Sequence, residues 1–146
     1  MKRIIWIVGI IMASVLMTSC CCKKSCSSKS LAGTWKFQID NPSLKLDADQ
    51  LTVNFNLSEK RVGGIGICNS FGAQIEELDM NNKTIKVGGV MSTRVACTNQ
   101  MYEVGLISVI NNATRFDVNG DKLTIYYSIP DSEEQKASFV RVKDKK

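Results

Sequence analysis

The stretch that most restricts how this chain can fold is residues 61–71, R-V-G-G-I-G-I-C-N-S-F, where glycine occupies positions 63, 64 and 66 of a segment otherwise patterned as a strand. Glycine inside a strand gives up side-chain packing and costs conformational entropy, so it is kept where another element presses onto the backbone. In a small barrel this means sharp coiling of the strand; a ligand laid against bare backbone is the weaker alternative. The segment also carries Cys68. Cys97, at the end of residues 91–97 (M-S-T-R-V-A-C), is the only other cysteine beyond the first 30 residues.

Around this stretch the sequence is written mostly in period two. Trp35, Phe37 and Ile39 alternate with Lys36 and Gln38, and Leu51, Val53, Phe55 and Leu57 alternate with Thr52, Asn54 and Asn56, as half-buried strands do. Ser58-Glu59-Lys60 connects the second run to residue 61 as a hairpin. Residues 73–78 and 84–87 read as two more strands across the turn-rich 79–83. In the first of these, Glu76 and Glu77 are expected on opposite faces, so they form no catalytic pair. Gly88-Gly89 breaks the chain before 91–97.

The one helical stretch is 100–110, with Thr98 or Asn99 as N-cap and Tyr102, Leu106, Val109 and Ile110 on one face. Gly105 and several β-branched residues make it a poor helix former, so packing must hold it. Thr114, Phe116 and Val118 lead into Asn119-Gly120, and Leu123, Ile125 and Tyr127 lead away, which is a strong hairpin signal. Residues 137–142 supply a last strand. The reading is a mainly β fold, a small antiparallel barrel or curled sheet of about eight strands with one helix.

Residues 1–19 begin with Lys2 and Arg3, continue through an apolar run over 4–17 and end in small polar residues before Cys20, the pattern of a secretory signal. The run is shorter than the roughly 20 apolar residues a membrane-spanning helix needs. Leu16-Met17-Thr18-Ser19-Cys20 resembles the bacterial lipobox. That resemblance implies that Cys20 is acylated and becomes the mature N-terminus, and Cys21, in place of Asp after it, implies outer-membrane placement facing the periplasm or the cell surface. Residues 20–30 then read as a lipidated flexible tether, 31–142 as the folded domain and 143–146 as a charged tail. Cys21, Cys22 and Cys26 have no second ligand cluster and are not read as a metal site.

With 146 residues the chain has room for one domain. It contains no histidine, which removes Ser-His-Asp and Cys-His catalysis and every His-dependent metal site. The net charge of +5 falls to +3 once Lys2 and Arg3 leave with the signal, and the basic residues are scattered without an aromatic platform, so nucleic acid is not an expected partner. No metal and no cofactor are expected.

The domain resembles the META or HslJ-like family of bacterial envelope lipoproteins and stress-associated proteins. The matching residues are Leu31-x-Gly33-Thr34-Trp35, Leu51-x-Val53-x-Phe55, Arg61-Val62-x-Gly64 leading to Cys68-Asn69-x-Phe71, and Met91-x-Thr93-Arg94-x-Ala96-Cys97. Glu103, Leu106, Phe116 and Gly120-Asp121-x-Leu123 continue the pattern. One departure is Ile67, where the family usually carries glycine. The resemblance implies a small antiparallel β structure with one helix, and no established catalysis. It places Cys68 and Cys97 at the same end of the domain, and export puts them where disulfides persist, so they are expected to be neighbours and bonded.

Two functions follow as expectations. The first is a membrane-anchored, non-catalytic module that binds an envelope protein, a peptide or a small molecule, with the barrel mouth as the default site. The alternative is a thiol–disulfide oxidoreductase using Cys68 and Cys97, with Arg94 and the coming helix favouring a thiolate at Cys97. Asn69, Thr93 and Arg94 are the candidate binding or structural residues. Asn69 suits a turn; Arg94 would brace carbonyls, pair with a carboxylate such as Glu103, or join the helix-start amides in an anion pocket.

Overall fold

Outward polar and inward apolar side chains alternate along strands short enough to close a ring. The structure, a computed structural model, describes residues 30–39 and 50–143. Its elements are β1 (Gly33–Phe37), β2 (Thr52–Asn56), β3 (Arg61–Ile65), β4 (Ser70–Asp79), β5 (Thr84–Val87), β6 (Met91–Ser92), α1 (Gln100–Asn111), β7 (Ala113–Asn119), β8 (Lys122–Tyr127) and β9 (Gln135–Arg141). The sheet runs β3-β2-β1-β9-β8-β7-β5-β4, and the β3–β4 pairing closes it into an eight-stranded antiparallel barrel with β6 added on the flank of β4. Closure leaves those eight strands without a free edge.

The glycines of β3 are set by that closure. A Cβ on Gly64 would fall 1.9 Å from Thr52 O and 2.9 Å from the Phe71 ring, and one on Gly63 would fall 2.9 Å from Phe71 O. The crowding comes from β2 and β4 on either side of a tightly coiled strand, so neighbouring backbone occupies the space that side chains would need.

The barrel interior is filled. Trp35, Leu51, Val53, Phe55, Ile125 and Phe139 are essentially inaccessible, and Leu106, Val109 and Ile110 of α1 join the same core. Each large apolar side chain so buried contributes about 1.5–3 kcal/mol, which holds a helix of weak propensity. The interior behind the expected barrel mouth is therefore occupied by side chains. α1 starts after Asn99, which has the left-handed φ of 66° and makes no side-chain cap.

The chain enters β1 at one end of the barrel and the glycine strand leaves at the other. Gly33 pairs with Phe55, and Phe55 with Val62, while Lys36 pairs with Thr52 and Thr52 with Ile65. Arg141 pins the entering chain: it donates to Ala32 O and Ser30 O and lies over the Trp35 ring at 4.0 Å. Glu76 and Glu77 do not point to opposite faces. A bulge shifts the register between Ile75 and Glu77, and both carboxylates reach Lys86, at 3.2 and 3.6 Å. The signal, Cys20 and nearly all of the tether lie outside the described residues. Among the described residues no helix is long and apolar enough to cross a membrane.

Candidate functional site

Beyond β3 the chain turns tightly through residues 66–69, closed by the Gly66 N–H donating to Asn69 O at 2.7 Å. The turn aims three consecutive amides inward. Ile67, Cys68 and Asn69 N–H all donate to Oε2 of Glu103, at 2.9, 3.1 and 3.1 Å, from the first turn of α1. Glu103 is 2% exposed. Burial pushes its carboxyl up, but the Cys68 amide, the Asn69 side chain and the Asn69 and Ile67 amides together hold it below the ordinary value of 4.5.

Asn69 carries the connection outward. Its Nδ2 donates to Glu103 Oε1 at 2.7 Å and to Val95 O at 2.9 Å, and its Oδ1 accepts from Val95 N–H at 2.7 Å and Thr93 Oγ1 at 2.8 Å. The partners fix the amide's orientation, since a carboxylate only accepts and a backbone N–H only donates. Asn69 thus acts as one more rung of a ladder, holding Val95 as a strand would. Thr93 accepts at Oγ1 from Ser70 N–H, 3.2 Å, and its own N–H donates to Ser70 O, 3.0 Å.

The same two segments are joined covalently. Cys68 and Cys97 form a disulfide with Cα atoms 6.6 Å apart. Both are half-buried, Cys68 between half-buried Ile67 and fully buried Asn69, Cys97 between exposed Ala96 and Thr98. Val95 O lies 3.7 Å and Asn69 Nδ2 3.8 Å from Cys68 Sγ. Arg94 is exposed and forms no ion pair among the described residues; Glu103 is engaged by amides instead.

The Cys68–Cys97 disulfide corrects the expectation of a non-catalytic module. It is itself a reactive group, and its thiol chemistry favours the alternative. No group of histidine, cysteine, aspartate and glutamate among the described residues is arranged to hold a metal ion. A separate groove of about 770 Å³ runs over the outer wall between Asn54, Arg61, Gln74, Gly89 and Met91.

Sequence reasoning missed Glu103 as the centre of the cluster and gave it only a place in the family pattern and a pairing with Arg94 as one option. The available signal was a carboxylate on the same side of the helix as Leu106 and Ile110, a position that buries it.

Residues 29–145 match the family model described as META domain. No curated protein matches the chain. Among solved structures, a protein from Burkholderia xenovorans determined by NMR shares the fold with a TM-score of 0.53 and 15% identity, over 77% of this chain and 83% of that one.

Proposed function

We propose, from the premise that this chain belongs to the META domain family, that it exchanges thiols and disulfides through Cys68 and Cys97. The observation that carries the reading is a half-buried disulfide whose two halves sit on segments that hydrogen bonds also hold together. In the exchange, a substrate thiolate attacks Cys97 Sγ, whose flanking residues are exposed. The Cys68–Cys97 bond breaks, a mixed disulfide forms at Cys97, and Cys68 leaves with the electron pair. Cys68 then takes a proton, and Val95 O stands 3.7 Å from its Sγ to accept from the thiol. A second substrate thiol attacks the substrate sulfur and releases Cys97. Two substrate thiols become one disulfide, and the protein gains two electrons and two protons. The reverse sequence reduces a substrate.

The test is stoichiometric. Oxidised protein mixed with an unfolded polypeptide bearing two thiols should transfer one disulfide per molecule. Cys68→Ser, offered the polypeptide in its disulfide form, should trap a mixed disulfide at Cys97 as one substrate sulfur leaves as thiolate, and Cys97→Ser should abolish transfer in either direction. A bond that resists thiols until the domain is denatured would refute the reading.

We infer further that this chemistry takes place in the cell envelope, a location that fits membership in the family. Support for a lipid anchor comes from the lipobox-like residues before Cys20. Mass spectrometry should find an acylated Cys20 as the mature first residue, and Cys20→Ala should move the domain out of the membrane fraction. An unmodified mature N-terminus beyond residue 20 would remove the anchor from the proposal.

A further inference from the structure

Beyond β6 the segment leading to Cys97 keeps one side bonded to residues 69–70 and leaves its other side unpaired among the described residues. Thr93 N–H is bonded to Ser70 O, and both backbone groups of Val95 are bonded to Asn69. Met91 and Ser92 pair with Gly72 and Phe71. Along an extended strand backbone groups alternate in direction, so Ser92, Arg94 and Ala96 direct their N–H and C=O groups to the opposite side, where no described residue meets them. Residues 93–97 contain no turn and no positive φ, and residues 91–96 are all exposed.

Such an edge accepts an added strand. We propose that residues 92–96 receive a cysteine-containing polypeptide in extended form, pairing with the outward groups of Ser92, Arg94 and Ala96 and so delivering its thiol to Cys97. The inference rests on the thiol–disulfide reading and names its substrate class.

The pairing also dictates the substrate's pattern. A guest cysteine opposite Cys97 places its third residue opposite Val95, which is 57% exposed, and its fourth opposite Arg94. Val95 favours an apolar partner there. Arg94 is the only charged residue in 91–102 and is unpaired among the described residues, so it favours a carboxylate. The matching order is cysteine, a small residue, an apolar residue, then glutamate or aspartate. The attack itself is the step already given: the guest thiolate bonds to Cys97 Sγ, Cys68 leaves and takes up a proton, and the product is one mixed disulfide.

The experiment uses the oxidised mature protein and three probes: a short peptide of that pattern, the same peptide N-methylated on the face that would pair, and glutathione. The peptide should form the mixed disulfide about tenfold faster than either control. In Ala96→Pro, which removes an outward N–H, the ratio of peptide to glutathione rates should fall toward one. Equal rates for the methylated and unmethylated peptides would overturn the edge proposal while leaving the exchange chemistry standing. A serine version of the peptide separates the two claims further: it should shift the amide resonances of Ser92, Arg94 and Ala96. If those shifts appear but no probe exchanges, the edge binds and the redox reading fails. If they appear with protein concentration alone, the edge pairs with a second copy and the proposal is overturned.

Discussion

Gly66 and Glu103 occupy space that only one of them can fill: a Cβ on Gly66 would stand 2.3 Å from Glu103 Oε2 and 2.4 Å from its Cγ. The missing side chain is what lets a carboxylate reach into the turn and collect three amides. The buried charge, the tight turn and the placement of Cys68 are therefore one arrangement.

Gly66→Ala should expel that carboxylate and leave the Ile67, Cys68 and Asn69 amides without their acceptor. Buried donors left unmet cost about 1–3 kcal/mol each in isolation; with partial relaxation, a total loss of about 2–4 kcal/mol in denaturant unfolding is expected. Gly89→Ala is the control, because a Cβ there meets nothing within 4 Å, and its change should stay within about 0.5 kcal/mol. Equal effects for the two substitutions would remove the steric explanation.

The barrel was readable from period-two runs such as Trp35-Phe37 and from Asn119-Gly120 because those signals are local and agree with the global fold. The glycines at 63 and 64 also gave the strand coiling that β2 and β4 enforce. The cluster was less legible. Asn69 suggested a turn, but its bonds reach 26 residues ahead to Val95 and 34 ahead to Glu103, and no periodicity reports a contact of that range. β6 was not read as a strand: only Met91 and Ser92 pair with β4, and beyond them Asn69, a side chain, stands in for the strand that would have continued the ladder. The bulge after Ile75 likewise could not be read from alternation, since it consists of one residue too many.

Acid should weaken the domain through Glu103. Its folded carboxyl titrates below the ordinary value of 4.5, so the unfolded chain binds a proton first as pH falls. The contribution of the charged form is complete above that ordinary value and is lost as pH drops through the lower folded value. Glu103→Gln should flatten this part of the stability profile, read as the unfolding midpoint between pH 6 and about pH 3. An unchanged slope in the variant would assign the acid sensitivity to other carboxylates.

Asn69→Asp should be worse than Asn69→Ala near neutral pH, although it is the smaller change in shape. The aspartate would set a second carboxylate where Nδ2 now lies 2.7 Å from Glu103 Oε1, and it would lose both donors. Like charges at that distance cannot both remain ionised, so the penalty should shrink as pH falls and one carboxyl protonates. Alanine loses those donors and the acceptor for Val95 N–H and Thr93 as well, but it brings no repulsion, and its penalty should not show this relief. Thermal midpoints of both variants at pH 7 and pH 4.5 make the comparison; a parallel fall for the two would deny the electrostatic part.

Reduction of Cys68–Cys97 should soften the domain without unfolding it. The bond closes a loop of 29 positions, worth about 3–4 kcal/mol through the unfolded chain's entropy, against a typical domain stability of about 5–15 kcal/mol. What keeps the reduced form folded is that the two segments are held twice. Asn69 grips Val95 at both backbone groups, Thr93 grips Ser70, and Glu103 holds the turn from the helix, none of which needs the sulfur bridge. A dithiol form that keeps its geometry is also what an exchange cycle requires, because Cys68 must remain beside Cys97 to close the bond again. In the reduced protein, denaturant unfolding should show the stated loss, while amide shift changes should be confined to residues 66–70 and 93–100. Shifts spread through β7, β8 and β9, or loss of the folded spectrum, would mean that the disulfide is a structural clamp, and the exchange reading would fall with it.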